Sequence, residues 1–292
     1  MRMPPPVRAL TKSQSNSLTL LAASVLLTFS QTSFAYDFSL PKFPVVPEFS
    51  GTVLEILNNT AKNGVDSNPL VNPDSTFRYG DWWGPTSNTL IGNDVRIYQN
   101  ECGDCAAFGG WATDLGDVSV NRVILESNAD MMRVYGGYAK LGSAEKNIVQ
   151  VKGTVGNSEV SSDQRLYGGY SVQGNATDNK VFVHTGSAVK GSIGGGHTND
   201  GVAEKNVLVI ESGAQVSSNG IAGGSGVSAF DNWVFIYGTV RGGNWIVGGK
   251  ASTGKESSRN LVYVGPGAEI QQSVFASQVY VGTASSLSLI HI

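Results

Sequence analysis

The sequence predicts an all-β chain coiled into a parallel β-helix, and three observations carry that expectation. Asparagine followed by alternating β-branched and apolar residues recurs at Asn93, Asn121, Asn147, Asn179, Asn206, Asn232 and Asn260, as in Asn147-Ile-Val-Gln-Val151. The mean step is about 28 residues, within the range of solenoid repeats. An aliphatic residue opens a Gly-Gly segment in each unit: Ala107-Phe-Gly-Gly-Trp111, Val134-Tyr-Gly-Gly-Tyr138, Leu166-Tyr-Gly-Gly-Tyr170, Ile193-Gly-Gly-Gly-His197, Ile221-Ala-Gly-Gly-Ser225 and Ile246-Val-Gly-Gly-Lys250. Val274-Phe-Ala-Ser-Gln278 is a degenerate copy. Composition agrees: charged residues make up 15% of the chain and 37 of 292 residues are glycine, where globular domains average about 25% charged and about 7% glycine.

From the N-terminus, Arg2, Arg8 and Lys12 precede an apolar run from Leu18 to Phe29, and small residues follow in Ser33-Phe34-Ala35. The run is too short to span a bilayer, and its layout is that of a secretory signal peptide over residues 1–35. Residues 36–89, with Pro41, Pro44, Pro47, Pro69 and Pro73, are expected as a linker and N-terminal cap. Within them Val53 to Ala61 reads as a short helix. Asp81-Trp82-Trp83-Gly84-Pro85 reads as an aromatic turn that plugs the end of the solenoid, because terminal repeats need atypical capping.

Residues 90–286 hold the repeats. Each unit contains the Asn strand, a short strand such as Gly153-Thr-Val155 or Gly238-Thr-Val240, and the Gly-Gly strand. Period-two alternation marks them as strands. Three strands and three turns make one coil, each coil rising about 4.8 Å on the last. The aliphatic residue before Gly-Gly should point inward. The longer step from Asn147 to Asn179 places its extra residues, about 156–164, in a loop on one face. Residues 287–292, Leu287-Ser-Leu-Ile-His-Ile292, break the pattern. They resemble the translation of an adapter used in DNA library preparation, so they are set apart from the fold and the natural chain is expected to continue.

The recurring residues have physical reasons to recur. Glycine pairs permit positive φ and close approach of one backbone to the next. Asparagine tolerates the left-handed turn conformation and carries both donors and acceptors. Identical amides stacked at strand spacing can bond to one another, so Asn121, Asn147, Asn179, Asn206, Asn232 and Asn260 are expected as a structural ladder. Trp111, Tyr138, Tyr170 and His197 follow Gly-Gly in four successive coils. They form either a buried aromatic ladder or an exposed stripe that holds sugar rings. Cys102 and Cys105 are expected to close a small disulfide loop in an exported protein.

Little in the sequence points to catalysis. Asp94, Asp104, Asp114, Asp117, Asp130, Asp163, Asp178, Asp200 and Asp231 fall at different repeat positions, most in turns. No Lys or Arg recurs beside them. Gly223-Gly-Ser-Gly-Val227 lacks the final glycine of a nucleophile elbow. No catalytic, metal or cofactor residue is assigned. The net charge of −3 has no basic footprint, which argues against a nucleic-acid partner.

Val134-Tyr-Gly-Gly-Tyr138 and Leu166-Tyr-Gly-Gly-Tyr-Ser-Val-Gln-Gly-Asn-Ala-Thr-Asp-Asn-Lys-Val-Phe-Val183 resemble the repeats of bacterial autotransporter passengers, over about residues 90–280. The resemblance implies a right-handed parallel β-helix and export to the surface of a Gram-negative cell. It also implies an outer-membrane barrel in a C-terminal part beyond this sequence. The role it implies is adhesion or surface interaction, with a glycan or a cell-surface ligand as partner. A secreted β-helical polysaccharide lyase or hydrolase and a purely structural surface component are the alternatives.

Overall fold

The computed structural model describes residues 52–56, 82–83, 86–87, 90–99, 106–112, 115–156, 164–242, 245–252, 255–271, 274–279 and 288–291. Cys102 and Cys105, the signal-peptide segment and the centre of the loop expected near 156–164 lie outside them. All the regular elements among the described residues are β-strands, and they pair in parallel. Three ladders run the length of the stack.

The asparagine sheet holds the strands that follow each Asn. Its nine strands run from Thr52–Ile56 through Ile148–Val151, Lys180–Val183, Val207–Ile210, Trp233–Ile236 and Leu261–Val264 to Ser288–His291, in chain order. Strand alternation sets its two faces. Val149, Val151, Val181, Val183, Leu208, Ile210, Val234, Ile236, Val262 and Val264 point into one continuous core. There they meet Ala107, Val134, Leu166, Ile193, Ile221 and Ile246, the inward residues before each Gly-Gly. The other face carries a separate buried apolar cluster that includes Phe182, Val209, Phe235 and Leu261.

The glycine sheet has 14 strands. It gathers the short Thr154–Val155 type of strand and the Gly-Gly strands, which fuse into Ala188–Thr198 and Gln215–Gly226 in later coils. The third ladder, the corner sheet, was not expected. Leu90–Ile91, Val118–Ser119, Ala144–Glu145, Ala176–Thr177, Val202–Glu204, Ser228–Phe230 and Ser257–Ser258 form it, two or three residues from each coil.

Four sequence expectations change. Thr52–Ile56 is a strand paired with Asn93–Gln99, where a helix from Val53 was expected. Trp82–Trp83, expected as a turn, is the end rung of the glycine sheet beside Ala106 and Ala107. Both belong to the stack because their neighbours offer an open ladder edge, and tertiary pairing overrides local propensity. Ser288–His291, expected to fall outside the pattern, pairs in register with Leu261–Val264; apolar alternation is enough for that pairing.

The fourth change concerns the turn beside each Asn. The left-handed residue is the one before it: Val120, Lys146, Asp178, Lys205, Asp231 and Arg259 have φ between 53° and 57°. None of the Gly-Gly residues is among the glycines with positive φ. Their small size serves close approach instead. A Cβ on Gly136, Gly168, Gly195 or Gly223 would lie 2.4–2.6 Å from a carbonyl oxygen of the next coil. A Cβ on Gly169, Gly196, Gly224 or Gly249 would lie 2.2–2.3 Å from the Asn amide of its own coil. The second glycine of each pair is therefore the seat of the Asn side chain.

Candidate functional site

Two columns of side chains were candidates, and the structure gives them different environments. The asparagines stand in one file at separations of 26, 32, 27, 26 and 28 residues. Each is buried, at 0–1% exposure. The pattern is uniform. Asn147 donates from its backbone N and its Nδ2 to Asn179 Oδ1, both at 3.0 Å, and its Nδ2 also donates to Val118 O at 2.9 Å. Asn179, Asn206 and Asn232 repeat these bonds one coil on, and Asn260 closes the file with bonds to Ala229 O and Ser257 Oγ. Both amide hydrogens and both lone pairs of an interior Asn are engaged. Nothing is left over for a ligand.

The aromatic residues form two columns flanking Gly-Gly. Phe108, Tyr135 and Tyr167 precede the pair, and the register continues to Gly194, Ala222 and Val247. Trp111, Tyr138, Tyr170 and His197 follow it, and that register continues to Ser225 and Lys250. Within the first column, Phe108 stacks on Tyr135 with centroids 5.2 Å apart. Within the second, Tyr138 stacks on Tyr170 at 5.1 Å and 2°, and Tyr170 on His197 at 4.9 Å. Edge-to-face contacts such as Tyr135–Tyr138, at 5.6 Å, tie the columns together. Such pairs contribute roughly 0.5–1.5 kcal/mol each beyond burial.

Trp111, Tyr138 and Tyr170 are only 1%, 3% and 7% exposed. An open sugar-holding stripe along all four coils is therefore not what the structure contains. His197, the last member of the stripe, lines a cavity. The reason is visible in the first column, which loses its rings at Gly194 and Ala222. Beside Ala222 there is a cavity of about 290 Å³ whose lining includes Tyr167, Ser192, His197, Asn219, Ala222, Ser225, Trp245 and Lys250. A second space of about 490 Å³ adjoins it, sharing His197, Ser225 and Lys250 and adding Thr198, Asn199 and Ser252.

The electrostatics of this groove are definite. His197 Nε2 lies 3.1 Å from Asn199 Oδ1, which also accepts from the Tyr170 hydroxyl at 3.2 Å. An amide oxygen can only accept, so Nε2 carries the proton and Nδ1 remains an acceptor. Burial pulls the imidazole down to about 4, against the pull of the Asn199 bond, and the positive charges of Arg165 and Lys250 lower it further. Burial pushes the Tyr167 phenol up to about 12. Both rings are thus neutral at ordinary pH. Lys250 Nζ sits 4.2 Å from the centre of the Trp245 ring, a cation–π contact that holds the ammonium in place. Among the described residues no carboxylate lines either space.

Three carboxylates elsewhere are matched across coils. Asp94, fully buried, accepts from Arg122 Nε at 3.0 Å. Asp231 accepts from Arg259 Nε at 2.8 Å, and Glu126 pairs with Lys152 at 3.0 Å. These three partners stand 26–28 residues away, one coil along, which hides them from a reading of neighbouring residues. Among the described residues no group of three or more His, Cys, Asp or Glu side chains could hold a metal, and no helix is long and apolar enough to cross a membrane. No protein-family model, curated protein or solved structure matches the chain.

Proposed function

We propose that the chain is the β-solenoid of a bacterial autotransporter passenger, exported and held at or released from the surface of a Gram-negative cell. On this reading it is a non-catalytic scaffold for adhesion. One observation carries the choice of scaffold over enzyme: the asparagines that repeat are engaged in holding coil to coil, and where the residue after Gly-Gly changes to His197, Ser225 and Lys250 those side chains line one groove. A catalytic β-helix needs paired acid–base groups or metal-binding carboxylates at one level of the stack. Here the groove has a neutral imidazole, hydroxyls, an indole and an ammonium, which suits recognition. The signal-peptide layout of residues 1–35 supports export. A rigid rod also suits many weak contacts made together.

The test is attachment. Beads coated with the exported chain should adhere to layers of host or neighbouring bacterial cells, and beads coated with the heat-unfolded chain should not. Cleavage of pectin or a related glycan by the same preparation, lost when one carboxylate is replaced, would make the protein an enzyme. Failure of folded, coated beads to attach to any cell layer would leave the purely structural reading in its place.

A further inference from the structure

We propose that the cavity at the level of Gly194 and Ala222 is a binding site for one acidic sugar ring, a pyranose bearing a carboxylate or sulfate, of a surface glycan. This deepens the adhesion reading and rests on it.

The site is an interruption in a column of rings. Below it each position before Gly-Gly carries a ring: Phe108, Tyr135, Tyr167. The next two positions in register are Gly194, against which the Tyr167 ring lies, and Ala222, which lines the cavity of about 290 Å³. That size is at the lower bound of ligand pockets, enough for a single ring and too small for a drug-sized molecule. A pyranose chair takes the place beside Ala222 where the column carries no ring, one of its C–H faces against Tyr167.

The surrounding groups fit hydroxyls. Ser192, Asn219 and Ser225 line the cavity with short polar side chains, and His197 presents a fixed tautomer. These supply donors and acceptors in place of the water that a sugar loses on binding. The charge preference follows from the field. Lys250 lines the cavity, its ammonium held over Trp245, and Arg165 acts on the same imidazole. Among the described residues no carboxylate lines the cavity to repel an anion. The adjoining space of about 490 Å³ beyond His197 and Ser225 offers room for a second sugar unit.

Titration calorimetry of the exported chain with trigalacturonic acid, a sulfated galactose trimer and neutral galactotriose tests the site. At least one acidic trimer should bind about tenfold more tightly than the neutral one, the ratio expected of a charge-assisted bond. Whichever acid wins identifies the carboxylate or the sulfate as the recognised group. Lys250→Gln should bring that affinity down to the neutral level. Ala222→Tyr fills the cavity with the ring found in the lower coils. It should abolish binding with an unchanged or higher melting temperature, so loss of fold cannot imitate loss of site. Equal affinity for acidic and neutral trimers, or full binding by folded Ala222→Tyr, overturns the proposal. If no trimer binds while coated beads still attach to cells, the site falls and the adhesion reading stands. If neither occurs, both fall.

Discussion

Asn179→Ala should destabilise the solenoid far more than the loss of one hydrogen bond. Asn179 is fully buried and sits mid-file. It accepts from Asn147 N and Nδ2, both at 3.0 Å, and donates to Asn206 Oδ1 at 3.0 Å and to Ala144 O at 2.8 Å. Alanine removes all four bonds. Asn147 N and Nδ2 lose their shared acceptor and Ala144 O loses its donor in a place water cannot enter. A stranded buried polar group costs about 1–3 kcal/mol, so the variant should lose about 3–5 kcal/mol. The seat of the amide sharpens the test. A Cβ on Gly169 would lie 2.3 Å from Asn179 Oδ1, so Gly169→Ala alone should also destabilise the chain severely. In the double variant the methyl takes up space the amide has vacated. Its cost should fall short of the sum of the singles by about 1–2 kcal/mol. Urea unfolding followed by far-ultraviolet circular dichroism measures all four corners of the cycle. A loss below about 1 kcal/mol for Asn179→Ala, or strict additivity of the pair, would refute the account of the ladder.

Three further outcomes are expected. Asp94→Ala leaves Arg122 without its buried carboxylate and should cost roughly 2–4 kcal/mol in the same unfolding assay, as for other broken buried pairs. Lys146 is exposed with φ at 54°, so Lys146→Gly should be neutral or stabilise by up to about 1 kcal/mol, whereas Lys146→Val should destabilise; a reversed order would show that the turn is unstrained. His197 has its pKa lowered to about 4 from 6.5. The unfolded chain therefore takes up a proton that the folded chain refuses, and stability is full above about pH 6.5 and declines as pH falls towards about 4. The half-buried ring limits the effect to roughly 1–2 kcal/mol. A His197→Gln melting curve should lack that part of the slope, and an unaltered slope would contradict the assignment.

The parallel stack was legible because stacking makes one demand at every level. A corner that seats an amide needs Asn, and the backbone facing it needs glycine, so both columns repeat. The corner sheet was harder to see because two residues per coil show no alternation. It did leave a trace: the residue three before each Asn is small, as Val118, Ala144, Ala176, Ala203, Ala229 or Ser257, and each is buried against that corner. The left-handed position was invisible because Val120, Lys146, Asp178, Lys205, Asp231 and Arg259 share no chemistry. They share only a backbone bend with the side chain directed away from the core. The groove was half legible. The row from Trp111 to His197 stood out in the sequence, but its burial depends on Phe108, Tyr135 and Tyr167 in the neighbouring column. The cavity is the place where that neighbour shrinks to Gly194 and Ala222, which becomes informative only once the two columns are known to be in register.

The amides of the file all point the same way. Each rung gives two hydrogens to the oxygen of the next, so their dipoles add along the axis and each bond polarises the one after it. A partly assembled stack therefore has two unlike tips: one shows a bare oxygen, the other a pair of N–H groups that only a single well-placed oxygen can satisfy. An incoming segment slipped by one residue would offer that tip Lys146 or Lys205, which carry no acceptor, instead. Coil added to coil in this way would be checked for alignment at every step.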